Sequence, residues 1–236
     1  MTIRLYDFDF NDTIVFGETN GVCLTVENRK LFASLYRCLI RTDVEESDRE
    51  IALFDDKGNM LVSKKDYVVI VDLADYETVS KTIGNKAIKA LVERCDTDAD
   101  LSYGLKRKIN ELYVEALKAV NDFDIEFDSE SDCAFEDVFK LFSVTPSSGG
   151  GVLLDKYLNL IELVSRLKLY KALVFFNAKA FMSSEELAEI QKLAAYKNVK
   201  LFFIENKLYP DGLPYEDKYL IDEDLFLTKL SGGDII

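Results

Sequence analysis

The sequence predicts a mixed α/β protein, an α/β head interrupted by a helical leg. Three observations carry this. Short β-rich runs alternate with helical patterns before residue 78 and again after residue 151. The intervening stretch reads as amphipathic helices without strands. A Gly-rich joint at 149–151 then returns the chain to the head. The expected boundaries are 1–77 and 152–236 for the head and 78–151 for the leg. No internal repeat is visible.

In chain order, Thr13 to Phe16 and Val22 to Val26 are β-rich, with an Asn20-Gly21 turn expected between them. Asn28 is placed to cap a helix carrying Leu31, Leu35 and Leu39 at helical spacing, with Phe32 and Tyr36 beside them. A hairpin follows: Ile51 to Phe54, the turn Asp56-Lys57-Gly58-Asn59, then Met60 to Val62. Tyr67 to Val71 reads as a further strand. Ile83, Ala87 and Leu91 mark one leg helix. Leu105, Ile109, Leu112, Tyr113, Ala116 and Leu117 mark a longer one.

After the joint, two apolar stripes share one helix. Leu154, Tyr157, Leu158, Ile161 and Val164 form the first; Leu153, Leu160, Leu163 and Leu167 form the second. Apolar on two sides, it should be sandwiched. Ala172 to Phe176 is a buried strand. Ser183 and Glu186 make a capping box, with Met182 and Leu187 spaced as a hydrophobic staple. Asn198 can end that helix before a strand at Val199 to Ile204.

The 236 residues, 48% hydrophobic and 12% aromatic, suffice for one sizeable core with an appended unit. No apolar run is long enough to cross a bilayer, and the N-terminal residues do not read as a signal peptide, so a cytoplasmic location is expected. Cys23, Cys38, Cys95 and Cys133 are scattered, as free thiols in a reducing compartment would be. There is no histidine. That removes the usual serine and cysteine triads, imidazole bases and imidazole metal ligands together.

The formal net charge is −14. Residues 122–137 alone carry eight carboxylates and no base; of the 43 acidic residues, 35 remain outside that stretch, against 29 basic ones. Within it, Asp122-Phe123-Asp124-Ile125-Glu126-Phe127-Asp128 alternates strictly. Extended, it would set four carboxylates on one face and three apolar side chains on the other. Their repulsion would be relieved by a cation, and an all-oxygen set suits calcium or magnesium. It is not an EF-hand, since Phe127 stands where that loop needs glycine. The other reading is a solvated acidic edge.

Other candidates are weaker. The strand–helix join Val26-Glu27-Asn28-Arg29-Lys30-Leu31 has neither the glycines nor the Lys-Ser/Thr pair of a P-loop. No Gly-Lys-Ser/Thr follows Ser147-Ser148-Gly149-Gly150-Gly151, which reads as a hinge. The strand Leu173 to Phe176 runs into Asn177 where a magnesium-holding Asp would be wanted. Glu205-Asn206-Lys207 is a Glu-x-Lys triplet of the kind carboxylate nucleases use, without an Asp in the preceding strand. Lys106, Arg107 and Lys108 with Lys118 on the long leg helix, and Lys81, Lys86 and Lys89 on the helix before, form thin basic faces. A symmetric oligomer turning them inward would concentrate them.

The run Lys171-Ala-Leu-Val-Phe-Phe-Asn-Ala-Lys-Ala-Phe-Met-Ser-Ser-Glu-Glu-Leu closely resembles the Csn-two family, the small accessory proteins of subtype II-A CRISPR systems. So do Asn198-Val-Lys-Leu-Phe-Phe-Ile-Glu and Tyr219-Leu-Ile-Asp-Glu-Asp-Leu-Phe-Leu. Asp124-Ile-Glu-Phe-Asp128 is similar to the family's acidic segment; the N-terminal half matches in pattern more than in residues. The resemblance implies a head related to ABC or RecA-like ATPases without their catalytic motifs, plus a helical leg. It implies a non-catalytic homotetrameric ring that binds double-stranded DNA ends in spacer acquisition, beside the CRISPR integrase complex and the RNA-guided effector nuclease. It also implies calcium, favouring a metal role for Asp122, Asp124, Glu126 and Asp128. The DNA-facing candidates are Lys86, Lys89, Lys106, Arg107, Lys108 and Lys118. The alternatives are a metal-dependent nuclease using Glu205 and Lys207, and an interaction scaffold that does not touch DNA.

Overall fold

In a computed structural model, residues 1–7, 10–16, 20–41, 51–121, 133–144, 151–209 and 213–230 are described. The chain divides into two compact units. One comprises Met1–Ser80 with Ser148–Ile236, the other Lys81–Ser147.

Two sheets build the first unit. β1 (Thr2–Asp7), β2 (Phe10–Val15) and β4 (Ile51–Phe54) form an antiparallel sheet in the order β2-β1-β4. The larger sheet contains β3 (Gly21–Val26), β5 (Tyr67–Ile70), β6 (Ala172–Phe176), β7 (Lys200–Glu205), β8 (Asp217–Ile221) and β9 (Leu227–Leu230), in the order β5-β6-β7-β3-β8-β9. All its pairings are parallel except the last, β8 with β9. β3 and β6 are buried at every position, as central parallel strands covered on both faces should be.

Register sorts the side chains of these strands. Leu24 lies opposite Ile204 and Tyr219, and Val174 opposite Phe202. This face carries one cluster with Leu31, Leu35 and Leu39 of α1 (Arg29–Ile40) and with Ile14, Ile51 and Leu53 of the small sheet. The alternate positions carry Cys23, Phe175 and Phe203. Phe175 stacks on Phe203 at 5.3 Å, and Tyr157 of α5 (Leu153–Arg166) meets Phe175 edge-on. The Tyr157 hydroxyl, deep in this layer, donates to the Leu73 carbonyl at 3.1 Å. α6 (Ser184–Tyr196) joins β6 to β7 and contacts α5.

The second unit continues α2 (Tyr76–Thr97) from residue 81 and adds α3 (Ala99–Asn121) and α4 (Phe135–Leu141). Ile83 and Ala87 are buried and Leu91 is half-buried. No α3 residue of described burial is buried.

Local expectations hold where chemistry was specific. Asn28 caps α1, its Oδ1 accepting from the Lys30 and Leu31 amides at 3.1 Å. The Ser183–Glu186 capping box is reciprocal. Asn198 adopts a left-handed φ of 55° just beyond α6.

Four expectations fail in whole or in part. Asn20-Gly21 does not turn a hairpin, because β2 and β3 belong to different sheets. Asn20 has φ 49°, accepts from the Leu201 amide, and leads into a parallel strand. Gly21 is required there because a Cβ would run into the Tyr215 carbonyl. The doubly apolar helix α5 fully buries only Tyr157, Leu160, Ile161 and Val164; Leu153, Leu154, Leu158, Leu163 and Leu167 are half-buried. The α3 stripe is only partly covered: Leu105, Ile109, Tyr113 and Leu117 are half-buried, and Leu112 is 62% exposed. The strand expected through Val71 ends at Ile70, and Val71 is exposed.

Candidate functional site

In an open parallel sheet a ligand site forms beyond the carboxyl ends of the strands. In this chain that edge is closed by its own side chains. At the end of β3, the first free amides of α1 are taken by Asn28, whose Nδ2 in turn donates to the Glu223 carbonyl at 3.0 Å. Two of the amides that would otherwise cradle a phosphate are thereby occupied. At the end of β6, Asn177 takes a left-handed conformation, φ 52° and ψ 38°, and its Oδ1 accepts the Asn206 amide at 3.1 Å. The residue standing where a magnesium ligand would be wanted thus ties two strand ends together.

Glu205, at the end of β7, is fully buried. Its Oε1 accepts the Lys179 amide at 3.2 Å, and its Oε2 has no partner among the described residues. Burial pushes this carboxyl up to about 7. Lys207 is exposed and lies over the Tyr209 ring at 4.9 Å. A carboxylate withdrawn into the core, beside a lysine left on the surface, is not a metal-binding pair.

Glu205 belongs to a buried polar cluster beneath α6. The Lys179 ammonium pairs with the Glu216 carboxylate at 2.9 Å, with side chains 6% and 0% exposed. The Gln191 Nε2 donates to the second Glu216 oxygen at 2.9 Å. Burial alone would lower the Lys179 pKa; its polar neighbours, Glu216 among them, outweigh that and keep it above the usual value. Burial raises the Cys23 thiol to about 12, so it stays protonated. Below about pH 7, where Glu205 is mostly protonated, the cluster sums to no net charge.

The predicted basic residues sit on α2 and α3. Lys106 lies over the Phe135 ring at 5.9 Å. Arg107 pairs with Glu111 at 3.5 Å and Lys118 with Glu115 at 2.7 Å, so local acids offset both charges. Successive helical residues point about 100° apart, so Lys106, Arg107 and Lys108 fan around α3 and do not share one face. Lys86 is half-buried and has an interaction partner. Lys89 and Lys108 are exposed and make no ion pair among the described residues. Asp122, Asp124, Glu126 and Asp128 lie outside the described residues, as does the 149–151 joint apart from Gly151. Among the described residues no three metal-ligating side chains come together. No described helix is long and apolar enough to cross a membrane.

The basic charge of α1 is missing from the sequence-based candidates, although its buried stripe and its lack of a P-loop are among them. Between residues 28 and 42 stand Arg29, Lys30, Arg37 and Arg41 with no acid, in a chain of net charge −14. That local reversal of sign was the available signal. Arg29, Lys30 and Arg37 line an open groove of about 820 Å³ with Phe32, Ala33 and Tyr36.

The model of the CRISPR-associated protein family Csn2 matches residues 45–225. A CRISPR-associated protein Csn2 of Streptococcus agalactiae is 24% identical over 223 residues, covering 89% of this chain and 90% of that protein. One from Enterococcus faecalis is 21% identical over 208 residues, covering 87% and 90%. The crystal structure of Stu0660 of Streptococcus thermophilus superposes with a TM-score of 0.62 at 14% identity, covering 98% of this chain and 76% of that one, a likeness of fold. The chain belongs to the CRISPR-associated Csn2 family.

Proposed function

We propose that this chain is a non-catalytic component of CRISPR adaptation, a homotetrameric ring that holds double-stranded DNA ends and uses calcium. The family match across residues 45–225 carries the reading. The self-capped sheet edge and the buried Glu205 support a non-catalytic role. Assembly is supported by the apolar surface of the helical unit, where Tyr103, Leu112, Leu141 and Phe142 are each more than 60% exposed. In a ring, Lys89 and Lys108 of several copies would add to one field facing the duplex. The CRISPR integrase complex and the RNA-guided effector nuclease are the partners this role implies.

Calcium fits the chemistry of the acidic row, since Asp122, Asp124, Glu126 and Asp128 supply hard oxygens only. There it would neutralise carboxylates that otherwise repel one another and the DNA.

Linear duplex should be retained without cleavage, with affinity falling about a thousand-fold or more between about 50 and 200 mM salt if some six phosphates are contacted. Exchanging Lys106, Arg107 and Lys108 for Glu should weaken binding equally across sequences. A flat salt response, or one strongly favoured sequence, overturns the ring reading; cleavage in magnesium would favour the nuclease. For calcium, Asp124→Asn with Glu126→Gln should remove both ligands and repulsion, abolishing calcium binding at little cost in folding stability. Chelator should lower wild-type assembly and DNA binding. If sizing and DNA binding are identical in calcium and in chelator, the row is a solvated edge.

A further inference from the structure

We propose that the groove along α1 is a second nucleic-acid site, one that takes a short single-stranded stretch. Single strands are held by cations that follow the backbone and by rings on which bases stack. Both parts are present. Arg29, Lys30 and Arg37 line the groove with no acid among its lining residues, and among the described residues none of the three is in an ion pair. Phe32 and Tyr36 stand between them. Each packs edge-to-face on Phe176, at 5.6 and 5.4 Å, so the rings are fixed in place before a ligand arrives.

The shape and the cap select the occupant. Asn28 already holds the Lys30 and Leu31 amides, so a single phosphate cannot seat on the helix start. The ligand must run along the helix side. Arg29 and Arg37 are two turns apart, about 12 Å along the axis. That span suits an extended polyanion contacting cations at both ends, with a base over the rings between. A mononucleotide does not bridge it, and an acidic peptide gains nothing from paired rings. The proposal is independent of the duplex-end reading, because α1 and the α2–α3 lysines belong to separate units of the fold.

The test is fluorescence anisotropy of labelled oligo(dT) of twelve nucleotides with the full chain, beside a blunt duplex. Wild type should bind the single strand saturably. Arg29→Ala with Arg37→Ala should weaken it about ten-fold or more and lower the salt slope by about 1.4, as two lost single-strand phosphate contacts would. Tyr36→Leu keeps an apolar contact to Phe176 and removes the stacking ring; it should cost about five-fold or more on oligo(dT). It should leave blunt-duplex binding unchanged. ATP and poly-glutamate should compete poorly. Each of the following overturns the proposal: no oligo(dT) binding; oligo(dT) binding untouched by the double arginine variant; full affinity in a folded Tyr36→Leu; or displacement by ATP or poly-glutamate at matched charge concentration. Loss of duplex binding alone would instead count against the ring.

Discussion

Lys179→Met should destabilise the protein by about 3–5 kcal/mol, the usual consequence of leaving one member of a buried ion pair without its partner. Glu216 would keep only the Gln191 hydrogen bond, with its side chain fully withdrawn from water. Methionine matches the lysine stem in volume, so the loss reports the missing charge and not a cavity. The double change Lys179→Met with Glu216→Gln should recover most of it, because a neutral amide needs no counter-ion. Urea midpoints of the two singles and the double complete the cycle. A single-variant cost below about 1 kcal/mol would mean that water reaches the pair, and the charge account of the cluster would fall.

The sequence showed strands and helices far better than it showed neighbours. Leu31, Leu35 and Leu39 are legible as a buried stripe because one helix face specifies them, and they are buried. Ser183 and Glu186 are legible because a capping box is closed within four residues. Asn20-Gly21 misled for the opposite reason. The dipeptide favours a left-handed conformation, which Asn20 does adopt, but whether the chain then pairs backwards or enters a parallel strand is decided by β7 and β8, nearly two hundred residues away. The order β5-β6-β7-β3-β8-β9 likewise rests on crossovers no local pattern encodes. Leu112 of α3 shows a further limit. An apolar stripe says that something covers a helix face, not that the same chain does.

The candidate sites divide in the same way. Glu205 could be found by motif, but its role could not, since a Glu-x-Lys triplet reads alike on a surface and in a core. Lys179, whose amide it accepts, and Glu216 and Gln191, which complete the cluster, come from three other segments, and nothing in the spacing joins them. The basic run at 28–42 needed only a local charge count against the −14 background. The absent P-loop was legible because it depends on residue types within one short join. The structure adds the physical closure of that join by Asn28.

Glu205→Gln should make the protein more stable than wild type at pH 8, by up to about 3 kcal/mol, and leave it nearly unchanged near pH 4.5. The carboxyl stands at about 7 in the fold against an ordinary 4.5, with burial as the main cause. A raised folded value means the native state holds the proton more tightly than the unfolded chain. The stability this contributes is complete below about 4.5. It is lost as pH rises through 7, where an ionised, half-unpartnered carboxylate must be kept in the core. Glutamine is neutral throughout and still offers an oxygen to the Lys179 amide, so it lacks this loss. Other titrating groups act equally in both proteins and cancel in the difference. Urea unfolding of the two at pH 5, 6, 7 and 8 reads that difference directly. A gap that does not change with pH would mean Glu205 is ionised in the fold, and the neutral cluster would be wrong. The same variant separates function from folding. A buried structural acid predicts that Glu205→Gln binds linear duplex as wild type does, whereas a nuclease would lose magnesium-dependent cleavage on losing its carboxylate.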